Sequence, residues 1–227
     1  MNIVVTGSSR GLGFEIISLL AKENNHTILA ISRSPISLSP TGQGTQLLHA
    51  IMDISDSSII EQQLPVFLDS IGHIDILINN AGLLINRSFM DQSPEDWMNT
   101  FRVNLLGPVT LIRTTVPYMR SGSHIVNIGS MGGFMGSVKF KGLTSYSSSK
   151  AALANLTETL AVELEDKGIA VNCLALGSVD TEMLQKAFPD YRSPVSPRAM
   201  AGFIADFSRN ANQVMNGKVI PVAISNP

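Results

Sequence analysis

Short runs of β-branched and other apolar residues alternate along this chain with longer segments whose apolar positions recur at helical spacing. The runs predict strands at Asn2–Val5, Thr27–Ile31, Leu47–Met52, Ile74–Ile78, His124–Ile128, Ala170–Ala175 and Lys218–Val222. Most are apolar along nearly their whole length, as strands covered on both faces are. Between the first two, Leu12, Ile16, Leu19 and Leu20 make one helical stripe; Leu153, Leu156, Leu160 and Leu164 make another. This alternation predicts an α/β architecture, a doubly wound parallel sheet of about seven strands with helices on both faces, joined by right-handed crossovers. Ser34–Gln46, uncharged and rich in Ser, Pro, Gly and Thr, and Gly177–Pro197 read as irregular. No repeat or linker-like run interrupts the pattern, so residues 1–227 are read as one domain.

Composition narrows the class. The 227 residues are 44% hydrophobic and 15% charged, enough for a sizeable core and too apolar for a disordered chain. Sixteen Lys and Arg against 18 Asp and Glu leave a formal charge of −2, which offers no attraction to nucleic acid or an anionic membrane. No run approaches the ~18 apolar residues of a membrane-spanning helix. The opening MNIVVTGSSRGLGFEI lacks the basic start and long apolar stretch of a secretory leader. Cys173 is the single cysteine, which excludes an intrachain disulfide and a cysteine-based metal site. His26, His49, His73 and His124 stand near predicted strand ends without partners at ligand spacing, so no metal is expected. The expectation is a soluble, cytoplasmic protein with no nucleic acid and no membrane among its partners.

Two segments carry chemistry. Thr6-Gly7-Ser8-Ser9-Arg10-Gly11-Leu12-Gly13 joins the first strand to the first helix. Backbone N–H groups bared at a helix N-terminus make an anion site suited to a pyrophosphate. Gly7 permits the tight turn, Gly11 a close approach of phosphate, and Gly13 close packing of helix on strand. Further on, Tyr146 and Lys150 are four positions apart and share a helix face. A phenol with an ordinary pKa near ~10 is a poor acid–base at neutral pH. A neighbouring ammonium favours the phenolate and is expected to lower that pKa.

Other segments follow in a telling order. Asn79-Asn80-Ala81-Gly82 closes the fourth strand, and Asn104 lies in the next helix, in VNLLG. Ser130 ends the fifth strand in IVNIGS, and Tyr146-Ser147-Ser148-Ser149-Lys150 begins the helix after it. With TGSSRGLG, these motifs span nearly the whole chain, which resembles the short-chain dehydrogenase/reductase family. The resemblance implies a Rossmann-type fold holding both cofactor and substrate sites, and hydride exchange between a nicotinamide cofactor and a carbonyl or alcohol carbon. By the same likeness Tyr146 donates or accepts the proton, and Lys150 serves the phenolate and the nicotinamide ribose. Ser130 donates to the substrate oxygen, and Asn104 holds a water that links Lys150 to solvent. Cofactor contacts fall on Thr6, Gly7, Ser9, Arg10, Gly11, Leu12 and Gly13, on Asp53 and Ile54 around the adenine, on Asn80, Ala81 and Gly82, and on Gly177, Val179 and Thr181 near the carboxamide. An acidic side chain after the second strand would bind the adenosine ribose and repel a 2′-phosphate. Ser32-Arg33-Ser34 stands there instead, and Arg33 with Arg10 offers two guanidinium groups to a 2′-phosphate, so NADP(H) is favoured over NAD(H).

Three features depart from the family pattern. Ser130 lies sixteen positions before Tyr146, three more than usual, and strict counting lands on Gly133. The local match IVNIGS is preferred because loops accept insertions more readily than strand ends; Ser137 and Ser145 are weaker candidates. Leu176 replaces the proline that usually precedes Gly177, and the last strand-like run, Asn216–Val222, lacks the usual glycine pair before the chain stops at Pro227. The substrate is expected between Met131–Ser145 and Met183–Val195, where Phe134, Met135, Phe140, Met183, Leu184, Phe188 and Tyr191 offer an apolar lining. The leading expectation is an NADP-dependent carbonyl reductase or alcohol dehydrogenase acting on a small molecule. The alternatives are a lyase or epimerase on the same fold, and a cofactor-binding sensor or scaffold without turnover. A homodimer or homotetramer is expected through Pro94–Met119 and Tyr146–Lys167, whose Phe101, Val109, Ala154 and Ala161 lie outside the inward stripe.

Overall fold

The computed structural model describes residues 1–224; residues 225–227, including the chain end named above, lie outside the described residues. Seven strands, β1 (Asn2–Thr6), β2 (Thr27–Ser32), β3 (Gln46–Ile51), β4 (Ile74–Asn79), β5 (Met119–Ile128), β6 (Ala170–Leu176) and β7 (Val219–Val222), form one sheet in the order β3-β2-β1-β4-β5-β6-β7. Every pairing is parallel. The helices are α1 (Gly11–Leu20), α2 (Ser57–Ile71), α3 (Pro94–Phe101), α4 (Gly107–Thr115), α5 (Thr144–Glu163), α6 (Glu182–Ala187) and α7 (Pro197–Asn210). Alternate strand residues feed two apolar layers. Ile3, Val5, Ile28 and Ile78 pack with α1 and α7, whereas Val4, Leu29, Leu77 and Ile125 pack with α2, α4 and α5. Each such side chain, fully buried, stabilises the fold by about 1.5–3 kcal/mol. No helix among the described residues is long and apolar enough to cross a membrane.

The chain winds outward from β1 through β2 to β3, then returns to place β4 on the other side of β1. At such a reversal the loops leaving the carboxyl ends part and open a crevice. Here the turn after β1 and the Asn80-Ala81-Gly82 segment after β4 flank it.

Several boundaries differ from the sequence reading. β5 starts at Met119, not His124: Arg120–Ser123 is polar and carries no apolar signal, and Met119 joins the sheet by pairing with Ile74, while Gly122 N donates to Gly168 O, just before β6, at 2.8 Å. The helical stretch from Pro94 therefore ends before Met119, and a π turn at Arg102–Leu106 divides it. Pro108 has no N–H for the regular bond to Asn104 O, whereas Gly107 N reaches back five residues to Arg102 O. Inside Gly177–Pro197, α6 forms with Thr181 as its cap, and Pro197 opens α7 behind Ser196, which accepts from Ala199 N. Ala161 was expected in an outward patch but is buried in the layer beneath α5, on the same face as Leu153 and Thr157.

His124 links three elements. It is 1% exposed, its Nδ1 lies 2.9 Å from Ser208 O on α7, and its Nε2 accepts from Asn172 Nδ2 on β6 at 2.9 Å. Burial pushes its pKa down from 6.5 to about 4. The unfolded chain takes up a proton near pH 6.5 that the folded chain refuses, so stability present above that pH is lost as the pH falls toward 4. Urea unfolding is expected to lose roughly 2 kcal/mol more between pH 7 and pH 5 in the natural chain than in His124→Gln. Equal losses in the two proteins would remove His124 as the source.

Candidate active site

The crevice is a cavity of about 1190 Å³ that runs from the glycine turn to the loops after β5 and β6. Gly7, at φ +70°, lies so close to Ala81 that a Cβ there would come within 2.7 Å of its Cα. A Cβ on Gly13 would collide with Gly7 O, so α1 starts hard against the turn. No side chain caps α1 and no acidic residue occupies its first turn. Gly11, Leu12 and Gly13 line the cavity, so these N–H groups and the helix dipole are left for an anion. The cradle fits a dinucleotide pyrophosphate. Ser9, Asn80, Ala81 and Gly82 share the wall, but Thr6 does not. Thr6 is buried behind it, where its Oγ1 accepts from Asn80 N at 3.0 Å and Ala81 N at 3.1 Å. Its part is to hold the Asn80 segment in place.

Arg10, Arg33, Asp53 and Ile54 also line the cavity. Arg33 Nη1 stands 3.9 Å from Asp53 Oδ2, and Arg10 Nη1 stands 3.7 Å from Glu182 Oε2. Both arginine side chains are largely exposed, and exposed pairs at such distances stabilise by at most about 1 kcal/mol. Both guanidinium groups thus stay free to meet a phosphate dianion. Asp53 Oδ1 accepts from Ser55 N and Oγ at 2.9 and 2.8 Å, which fixes its carboxylate at the wall.

At the other end, α5 carries Tyr146 and Lys150. Ser130 does not end β5 as expected; it sits two residues past the strand, where its Oγ accepts from Gly132 N at 3.1 Å and caps a short 3₁₀ turn. That turn packs Gly133 against α5 so closely that a Cβ would lie 2.5 Å from Ala151 N. Position 133 therefore serves helix contact, while the Ser130 hydroxyl faces the Tyr146 phenol. Ser137 spends its hydroxyl on the Met131 and Phe134 carbonyls, Ser145 is fully buried, and neither lines the cavity.

Lys150 is 4% exposed; its Nζ donates to Ile128 O at 2.7 Å and lies 6.0 Å from the Tyr146 ring centroid. Burial pushes the Lys150 pKa down to about 8. Tyr146 moves the opposite way from expectation: burial raises its pKa, and Ser130 offsets only part of the rise. Desolvation of the phenolate is the largest cause. Asn104 lies behind the wall on the π turn, where Leu83 N donates to its Oδ1 at 2.7 Å and its Nδ2 donates to Leu83 O and Ser149 Oγ, both at 2.9 Å. Gly82 leaves open the space between this residue and the lysine: a Cβ there would sit 3.5 Å from Asn104 Oδ1 and 3.7 Å from Lys150 Nζ.

Phe140, Met183, Leu184, Phe188 and Tyr191 face the cavity as expected, together with Gly177, Val179 and Thr181. Phe134 and Met135 do not, and Met135 is 90% exposed. Leu83, Leu84, Val103 and Leu143 join the apolar wall; they belong to turns and helix ends whose local pattern does not point to a cavity. Two polar residues tie the surrounding loops. Asn86 Nδ2 donates to Ala187 O at 2.6 Å, and Gln92 Nε2 donates to Gly142 O at 3.1 Å. Neither stands in a motif that marks it. Among the described residues no three His, Cys, Asp or Glu side chains gather as a metal set.

Comparison with known proteins agrees with this geometry. The family model for short chain dehydrogenase matches residues 1–192, a span that includes each motif from the glycine turn to Thr181. The 3-oxoacyl-[acyl-carrier-protein] reductase FabG of Chlamydia trachomatis is 33% identical over 188 residues, 79% of this chain and 74% of that protein. The protein of the same name from Escherichia coli K12 is 30% identical over 214 residues, 93% of this chain and 86% of its own. The crystal structure of a dehydrogenase/reductase from Sinorhizobium meliloti matches with a TM-score of 0.81 at 27% identity, covering 97% of this chain and 92% of that one. The chain belongs to the short chain dehydrogenase family and is an oxidoreductase, exchanging a hydride between a nicotinamide cofactor and a carbonyl or alcohol carbon.

Proposed function

We propose that this oxidoreductase prefers NADP(H), reduces carbonyl compounds with an apolar chain, and works in the cytoplasm as a homodimer or homotetramer whose single domain holds both sites. The observation that carries the reading is one continuous cavity, with Arg10 and Arg33 at one end and Ser130, Tyr146 and Lys150 at the other. Gly7, Ser9, Gly11, Leu12 and Gly13 take the pyrophosphate, Arg10 and Arg33 the 2′-phosphate, and Asp53 and Ile54 the adenine. Asn80, Ala81, Gly82, Gly177, Val179 and Thr181 frame the nicotinamide end, with Lys150 on the ribose. When bound, the nicotinamide supplies the hydride. The chain's own part is acid–base work: Ser130 Oγ donates a hydrogen bond to the substrate oxygen, and Tyr146 Oη gives that oxygen its proton. Lys150 Nζ, with a pKa near 8, is suited to resupply the phenol at neutral pH. Asn104 acts by placing the π turn beside it. A sensor or scaffold would need none of these four side chains, which favours turnover.

The relatives named 3-oxoacyl-[acyl-carrier-protein] reductases act on a carbonyl, and the apolar wall near Phe140, Met183 and Phe188 suits a ketone with a hydrocarbon tail. Exposed Met98, Leu106 and Val162 on α3, the π turn and α5 supply an apolar face for a second copy. The test is cofactor binding together with reduced-cofactor oxidation over a panel of aldehydes, ketones and quinones that includes ethyl 3-oxohexanoate. NADPH is expected to bind about tenfold tighter than NADH, or better, equivalent to about 1.4 kcal/mol or more, and Arg33→Asp to reverse the order. Equal dissociation constants in the natural chain would defeat the cofactor assignment; no turnover with any carbonyl would defeat the reaction.

A further inference from the structure

Ser149 lies between Tyr146 and Lys150 on α5 and is fully buried. Its Oγ donates to Tyr146 O at 2.7 Å and accepts from Asn104 Nδ2 at 2.9 Å. The first bond alone means little, because Thr110, Thr159 and Ser208 also bond back onto their own helices. The second does not belong to that habit. It uses a buried carboxamide whose other N–H is committed to Leu83 O and whose oxygen accepts from Leu83 N. We propose that Ser149 is a positioning residue, which locks the turn of α5 bearing Tyr146 and Lys150 to the π turn bearing Asn104. The proposal rests on the acid–base reading of Tyr146 and Lys150 given above.

Without the Ser149 hydroxyl, one Asn104 N–H is left buried and unpaired. The carboxamide can recover a partner only by turning away from Leu83, so the π turn and α5 lose their fixed distance. A reacting group misplaced by ~1 Å costs on the order of 10²-fold in rate. Thr157 provides a control within the same helix. It bonds back to Leu153 O and accepts from Asn127 Nδ2, both at 2.9 Å, but it anchors α5 to β5, about three turns away from Tyr146.

The experiment compares Ser149→Ala, Ser149→Cys, Ser149→Thr and Thr157→Ala, using NADPH and the panel ketone that the natural chain reduces fastest. Ser149→Ala is expected to lower kcat about tenfold or more, with KM for NADPH within about twofold, and to shift the pH profile of kcat. Ser149→Cys, of similar size but a weak acceptor, falls between, and Ser149→Thr restores most of the rate. Thr157→Ala lowers Tm by a comparable amount, with kcat and its pH profile unchanged. The proposal is overturned if Ser149→Ala keeps the natural kcat and pH profile, or loses no more rate than Thr157→Ala. Failure of the underlying reading shows separately, as a Tyr146→Phe variant that keeps its turnover whatever the Ser149 series does.

Discussion

Tyr146→Phe is expected to lower turnover by roughly 10²–10⁴-fold, the range of a lost general acid, with NADPH affinity nearly intact. The substitution removes one oxygen and keeps the ring, so α5 still packs as before and Lys150 still donates to Ile128 O. The glycine turn, Arg10 and Arg33 lie at the other end of the cavity and keep their hold. Burial keeps the phenol protonated in the chain by itself, so at neutral pH it stands ready as a donor to a carbonyl oxygen. Reduced-cofactor fluorescence measures the dissociation constant, and absorbance of the same cofactor follows turnover. A variant that retained most of its activity would mean that another group supplies the proton.

Ser130→Ala is expected to cost roughly 10²–10³-fold in kcat, as the loss of one preorganised donor to a developing oxyanion does. Ser137→Ala and Ser145→Ala will matter far less. The hydroxyl at 137 stitches its own loop, and the one at 145 is buried without a hydrogen-bond partner, so neither reaches the cavity. Parallel kinetics of the three variants checks this. If position 137 or 145 matched the loss at 130, the hydroxyl that faces Tyr146 would not be the one that polarises the substrate. Between Ser130 and Tyr146 the chain makes the short 3₁₀ turn that sets Gly133 against α5 and then a loop that ends where α5 begins at Thr144.

What was legible in the sequence is what short-range physics determines. The strands β1, β2, β4 and β6 are apolar at all but one or two positions because both sheet faces are covered, and such runs need no partner to be read. Glycines at 7, 11 and 13 mark the turn after β1, and the four-residue step from Tyr146 to Lys150 marks a shared helix face. Tertiary structure decided the rest. Arg120–Gly122 in the first half of β5 is exposed and carries no apolar side chain, and the strand is extended there by the backbone pairing of Met119 with Ile74 on β4. The π turn arises where Pro108 interrupts the ladder, and its use in holding Asn104 against Ser149 joins residues 45 positions apart. Thr6 and Asn104 belong to the site's motifs yet stand behind its wall, since their polar atoms are satisfied by segments that local sequence cannot bring together. The protonation of Tyr146 turned out opposite to the local argument for the same reason. Spacing puts a lysine beside the phenol, but the direction of the shift depends on how much water the surrounding fold removes.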